Sequence, residues 1–274
     1  MANSTENTGK YKYLIPPLFA VIGLIIYSSA FSGPFYLDDG DNIRNNPAIA
    51  DISMFLDISG TRYVTYLSFA LNYVVSGFST FGYRLTNVVI HVVNALLVYK
   101  FVLLLTRTPV MREASAKINR DKFTFNVALL SGLLFLVHPL QTQAVSYITQ
   151  RFASLATLFY LLSAVLYIKA RLPESKGRTI YIFYILSILS AVLAMKTKEI
   201  SFTLPVVIIF IEFALFSGSE PVKKRVLYLI PFVLTFAIIP LSLYGPTPST
   251  CPAEGSVAGL LREAQLRDLD KIPR

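Results

Sequence analysis

The chain has 274 residues, 54% of them hydrophobic and 15% charged, with a formal net charge of +9. That is too apolar for an ordinary soluble domain and too long for a single membrane anchor, so the composition specifies a multispanning membrane protein. The sole cysteine, Cys251, leaves no intrachain disulfide, and with no tryptophan any aromatic belt falls to Tyr and Phe.

After a short segment 1–12, the first apolar run extends from Tyr13 to Phe31. It is too long for the apolar region of a signal peptide and carries Pro16 and Pro17 near its start, which marks it as a retained span. Six more runs of bilayer length follow: Leu85 to Leu105, Phe123 to Val137, Phe152 to Ile168, Ile180 to Met195, Ile200 to Phe216 and Val226 to Tyr244. The expectation is an all-α polytopic protein, with about seven transmembrane helices between residues 13 and 244. A further apolar stretch, "YVTYLSFALNYVVSGFSTFGY", precedes the second span. With seven spans and the N-terminus inside, 15 of the 25 Lys and Arg fall on the inner side, as the positive-inside rule requires. Counting residues 63–82 as a crossing would move the cationic loop from Arg107 to Lys122 outside, so this stretch is assigned as an interfacial helix on the outer face. The basic balance then meets anionic lipid at the inner surface, and no nucleic acid need be invoked.

The outer loop 32–62 opens with "FYLDDGDNIRNNPAI", in which Asp38, Asp39 and Asp41 crowd together. One such carboxylate suits a general base toward an acceptor hydroxyl. Adjacent carboxylates also suit a divalent cation bridging a leaving phosphate, and the many turn formers fit a plain acidic turn. On the same side, cations stand where helices begin: Gln150 and Arg151 in "SYITQRFASL", and Lys196, Lys198 and Glu199 in "KTKEISFTLP". A cation at a helix N-terminus opposes the dipole unless an anion bridges it to the free N–H groups, which makes Gln150, Arg151 and Lys198 candidates for holding a phosphate. Headgroup anchoring is the plainer alternative. Inside the second span Arg84, Asn87, His91 and Asn94 share one helical stripe that must face the bundle or a wet cavity, with interhelical hydrogen bonding as the simplest role. His138 ends the third span beside Pro139, close to the presumed site.

Five blocks in order carry a family resemblance: "FYLDDGDNIRNNPAI", "RYVTYLSFALNY", "GYRLTNVVIHVVNALLVY", "LLFLVHPLQTQAVSYITQRFASLATLFYLLSAVLY" and "LAMKTKEISFTLPVVIIFIEF". From about Tyr13 to Tyr244 the chain resembles the membrane half of the transmembrane and tetratricopeptide-repeat O-mannosyltransferases, a family with many bacterial relatives. The resemblance implies a GT-C glycosyltransferase bundle whose outer loop carries interfacial helices. It implies transfer of a sugar, mannose in that family, from a polyprenyl-phosphate carrier to a Ser or Thr hydroxyl of a protein. The reaction would take place on the extracytoplasmic or lumenal side of a bacterial inner membrane or the endoplasmic reticulum. The paired acids of such families match Asp38 and Asp39, one acting as base without a metal cofactor; Asp41, His91, His138 and Glu199 stand as supporting residues.

Two features depart from that pattern. The family has more spans, and the tail 245–274, "GPTPSTCPAEGSVAGLLREAQLRDLDKIPR", has neither the periodicity nor the length of three repeats, so it reads as an unrelated end and the chain as half an enzyme. The other readings are a non-catalytic fragment that binds the lipid-linked sugar or a partner subunit, and a transporter that uses the polar stripe.

Overall fold

A computed structural model describes residues 13–55, 60–114, 120–175, 177–218 and 220–243; the N-terminal segment 1–12 and the tail 245–274 lie outside them. The described residues form helices and turns with no strand, as expected of an all-α polytopic protein. The principal helices are α1 (Ile15–Ile26), α2 (Tyr63–Ser76), α3 (Thr80–Leu105), α4 (Arg120–Val137), α5 (Arg151–Arg171), α6 (Arg178–Met195), α7 (Leu204–Leu215) and α8 (Val222–Leu234).

Each of the seven apolar runs overlaps one of these helices, but they differ in reach. Among the described residues, four helical segments are long and apolar enough to cross a bilayer: α3, α5 with its leading turn, α6, and α8 with its continuation to Ser242. A fifth arises if α4 and the helical stretch Pro139–Ser146, bent by 49°, count as one span. The bend follows from Pro139, which cannot donate the hydrogen bond a straight helix needs there. α1 and α7 have 12 residues each and are continued by 3-10 turns, Ser28–Ser32 after α1 and Glu199–Thr203 before α7. α2, at 14 residues, is about 21 Å long, short of a bilayer core.

The bundle packs through small residues, which matters where lipid offers side chains no hydrophobic reward for leaving it. A Cβ on Gly132 would lie 2.9 Å from the Phe19 ring and 3.0 Å from the Ala95 carbonyl oxygen, so glycine here lets α1, α3 and α4 close together. Between α5 and α6 the hydroxyls of Ser163 and Ser187 each donate to the other's carbonyl, at 2.9 and 2.7 Å.

α3 and α5 run from one end of the bundle to the other and α6 returns, so the chain has two polar ends. One holds the loop with Asp38 and Asp39; the other holds Arg107, Arg171 and Glu174. α2 lies at the acidic end. The Val64 N–H donates to the Lys196 carbonyl (3.1 Å) and the Thr65 hydroxyl to that of Thr197 (3.3 Å), which ties the start of α2 to the turn after α6. Further along, α2 packs Phe69 against Tyr83 of α3 and Phe152 of α5, at ring separations of 6.1 and 5.8 Å. Ile43, Ile49, Tyr66 and Ile148 join this aromatic pad, and the acidic loop rests on it.

Candidate functional site

The acidic loop begins where α1 has run out through its 3-10 turn. Leu37 adopts φ +44°, a left-handed conformation costly for a leucine, and is 85% exposed. That turn sends the next two carboxylates in opposite directions. Asp39 is fully buried, while Asp38 is exposed.

A buried carboxylate needs donors and a countercharge. Asp39 Oδ2 accepts the Tyr36 N–H at 3.1 Å, and Oδ1 accepts the Thr149 N–H at 2.9 Å, just before α5 begins. Arg84 lies within electrostatic reach and donates to the carbonyls of Gly33 and Pro34, and to that of Ser146 at 3.2 Å. The loop is thus strapped to the 145–149 segment from both sides. The Asp38 N–H adds a bond to the Tyr147 hydroxyl, 3.1 Å, but no protein donor is found on the Asp38 carboxylate among the described residues. Asp41 is exposed, and among the described residues its carboxylate has one long contact, 3.5 Å, from the Asn45 amide.

Arg151 differs from the sequence expectation of a phosphate ligand at the surface. It is fully buried, and every guanidinium nitrogen already donates: Nε to Asn87 Oδ1 (2.8 Å), one terminal nitrogen to the Tyr83 carbonyl (2.7 Å) and the other to the Ser68 carbonyl (3.2 Å). Its charge sits 4.6 Å from the centre of the Phe69 ring. The buried amide of Thr149, just before this helix start, is taken by a carboxylate of the chain itself, Asp39. Asn87, which holds Arg151, also donates to the carbonyls of Val145, Tyr147 and Ile148 at 3.3–3.4 Å.

The other candidates separate in the same way. Gln150 and Lys198 are half-buried, and neither side chain has a hydrogen-bond partner among the described residues. Glu199 is paired with Arg62, 2.9 Å. Burial works against its charge, but the Arg62 hydrogen bonds and positive field outweigh this and hold the carboxyl below the ordinary glutamate value. His138 is exposed, its Nδ1 accepting the Leu140 N–H at 3.3 Å, which caps its own turn. His91 is deep in the bundle, its Nε2 within 3.1 Å of the Leu136 carbonyl and 3.3 Å of the Tyr27 hydroxyl. All four residues of the α3 stripe are buried, and Asn94 completes it with a 2.8 Å bond to the Ser154 carbonyl. The stripe is therefore a ladder that binds loops and neighbouring helices. Among the described residues no three His, Cys, Asp or Glu side chains gather closely enough to hold a metal ion.

Sequence reasoning missed Glu212. It is fully buried at the other end of the bundle, where its carboxylate accepts two nitrogens of Arg171 (2.8 and 3.0 Å), Nε of Arg225 (3.1 Å) and the Tyr167 hydroxyl (2.9 Å). The available signal was a lone acid inside "LPVVIIFIEFAL", which carries the same cost in lipid as the α3 stripe.

Compared with known proteins, the chain is similar to Protein O-mannosyl-transferase F38B6.6 of Caenorhabditis elegans, 31% identical over 166 residues, covering 55% of this chain and 22% of that protein. It is 29% identical to Protein O-mannosyl-transferase TMTC4 of Homo sapiens over 211 residues, covering 68% of this chain and 28% of the relative. Protein O-mannosyl-transferase TMTC2 of Mus musculus is 29% identical over 166 residues, 55% of this chain and 18% of the relative. The chain therefore spans between 18% and 28% of the length of these relatives. No family model matches it, and no solved structure does.

Proposed function

From its similarity to protein O-mannosyl-transferases such as TMTC4 and TMTC2, we propose that the chain belongs to the TMTC family and supplies the acid-bearing membrane part of a glycosyltransferase. The reaction is transfer of mannose from a polyprenyl-phosphate carrier to a Ser or Thr hydroxyl of a protein. It takes place at the end of the bundle that holds Asp38, on the lumenal or extracytoplasmic side.

The observation that carries this reading is the division of labour between the two acids. Asp39 is spent on two backbone amides, Tyr36 of its own loop and Thr149 just before α5, so it fixes the loop. Asp38 next to it is exposed and its carboxylate meets no protein donor among the described residues, which leaves it placed to take a proton from an acceptor hydroxyl as that oxygen attacks the anomeric carbon. The carrier phosphate leaves with the electron pair of the broken bond. Among the candidate cations, Lys198 is the one to meet that phosphate, with Gln150 as a further donor, since Arg151 has no free nitrogen.

The test is transfer from a polyprenyl-phosphate mannose donor to an acceptor peptide, in membranes carrying the full-length protein. Asp38→Asn should lower the rate about 100-fold, as expected on losing a general base, while leaving thermal stability near that of the parent. Lys198→Ala should weaken donor binding by about 1–3 kcal/mol, the scale of a hydrogen bond to a charged group. Transfer that survives Asp38→Asn overturns the assignment of the base. Donor binding without transfer favours the alternative of a non-catalytic component that presents a lipid-linked sugar to a partner.

A further inference from the structure

At the end of the bundle opposite Asp38, the last turns of α3 and α5 and the start of α6 line an open cavity of about 420 Å³. Its walls are of two kinds. Leu104, Leu172 and Phe183 make an apolar side, whereas Arg107, Lys169 and Glu174 supply charge. Two cations face one carboxylate there, so the cavity carries an excess positive charge.

Neither cation is consumed by the fold. The Lys169 ammonium is held 4.0 Å from the centre of the Phe183 ring, a contact that orients it without neutralising it, and it has no carboxylate partner among the described residues. Arg107 spends one nitrogen on Glu174 at 3.2 Å. Both side chains of that pair are close to half exposed or more, 45% and 61%, and an exposed pair of this kind is weak enough for a better anion to displace. The Thr179 hydroxyl adds a donor on the same lining. By contrast, Arg171 and Arg225 nearby are committed to buried or half-buried carboxylates, Arg171 to Glu212 and Glu220 and Arg225 to Glu212.

We infer that this cavity binds the phosphate of an anionic lipid headgroup. The charge calls for an anion, and Arg107 and Lys169 lining one cavity suit a multi-oxygen group that accepts from both. The source follows from the apolar wall and from position. Arg107 lies just past the end of a 26-residue apolar helix, at headgroup depth, and Leu104, Leu172 and Phe183 give an acyl-glycerol portion a surface that inorganic phosphate would not use. The site lies at the other end of the bundle from the proposed catalytic acid and does not depend on it.

The full chain would be reconstituted in nanodiscs of mixed phosphatidylglycerol and phosphatidylcholine, and the lipid retained after release would be counted by native mass spectrometry. The parent should retain phosphatidylglycerol about tenfold over phosphatidylcholine, the effect of one charge-assisted hydrogen bond or more. Arg107→Ala combined with Lys169→Ala should abolish the preference. Glu174→Gln should increase it, because it removes the carboxylate that competes for Arg107; a merely structural Glu174 would give no gain. Lys223→Ala, an exposed cation outside the lining, should change nothing. Displacement of the lipid by millimolar inorganic phosphate would keep the phosphate site but assign it a soluble ligand, and resistance to displacement assigns the lipid. A parent without preference, or a double variant that keeps it, overturns the site.

Discussion

The two ends of this bundle both bury a carboxylate among arginines, yet they use it differently. At one end Glu212 takes Arg171, Arg225 and Tyr167, and Arg171 reaches on to Glu220 at 2.9 Å, so every charge in the group is answered by another side chain. At the other end Asp39 is answered mainly by backbone, Arg84 and Arg151 are turned onto carbonyls, and Asp38 is left over. A closed network of opposite charges can hold helices together but has nothing to offer a substrate. An acid pinned by amides next to a free acid can do both. The difference teaches that the number of charges at a helix end says less about function than whether one remains unpaired.

The largest expected contrast is all-or-none. In a Cys251→Ser background, an impermeant thiol reagent added to sealed cells or lumen-side-out vesicles should label a cysteine at Asn45 and miss one at Arg112. Labelling at Arg112 would reverse the two ends and with them the side on which Asp38 works.

Next comes Glu212→Ala, which leaves Arg171 and Arg225 buried without a carboxylate and should lower stability in detergent by about 3–5 kcal/mol. A triple change of Glu212 to Leu, Arg171 to Met and Arg225 to Leu should recover most of that loss, since an apolar replacement of a whole buried network is often near neutral. If the triple variant is as unstable as the single one, the network does more than close the bundle.

A smaller effect separates the two aspartates. Asp39→Asn keeps an acceptor but loses the negative charge that satisfies the start of α5 and faces Arg84, so it should cost about 1–3 kcal/mol of stability in a thermal unfolding series. Asp38→Asn should stay within about 0.5 kcal/mol, as for surface positions. Equal losses would mean that the exposed acid is also part of the scaffold, and the division of labour would fail.

Much of this was legible in the sequence, for reasons that can be named. The helices follow from apolar runs, and the burial of Arg84, Asn87, His91 and Asn94 follows from their spacing, because polar side chains on one face of a span have few places to go. The acids at 38 and 39 were visible as a pair, but which of them is buried depends on the left-handed turn at Leu37 and on the distant Thr149 amide, neither of which local sequence encodes. By sequence, Arg151 is a helix-start cation that calls for an outside anion. Instead the amide of Thr149 before the helix takes Asp39 of the chain itself, and the guanidinium is taken by Asn87, Tyr83 and Ser68, contacts that only the folded bundle assembles.

The smallest effect concerns Arg62 and Glu199, the pair that ties the start of α2 to the turn before α7. Arg62 sits at φ +60°, and its side chain is 43% exposed against 38% for Glu199, so solvent screens the pair and its contribution should be only about 0.2–1 kcal/mol. Its sign with pH is fixed. Glu199 is held below the ordinary glutamate value in the folded protein, so the stabilisation is present above that value and is lost as pH falls through the depressed folded one. Unfolding midpoints of the parent and Glu199→Gln, compared across that acidic window, should differ by a degree or so at neutral pH and converge on acidification. Convergence confined to the acidic side marks the pair as electrostatic, whereas a constant offset would mean that Glu199 matters for packing and that α2 is anchored by the Val64 and Thr65 bonds alone.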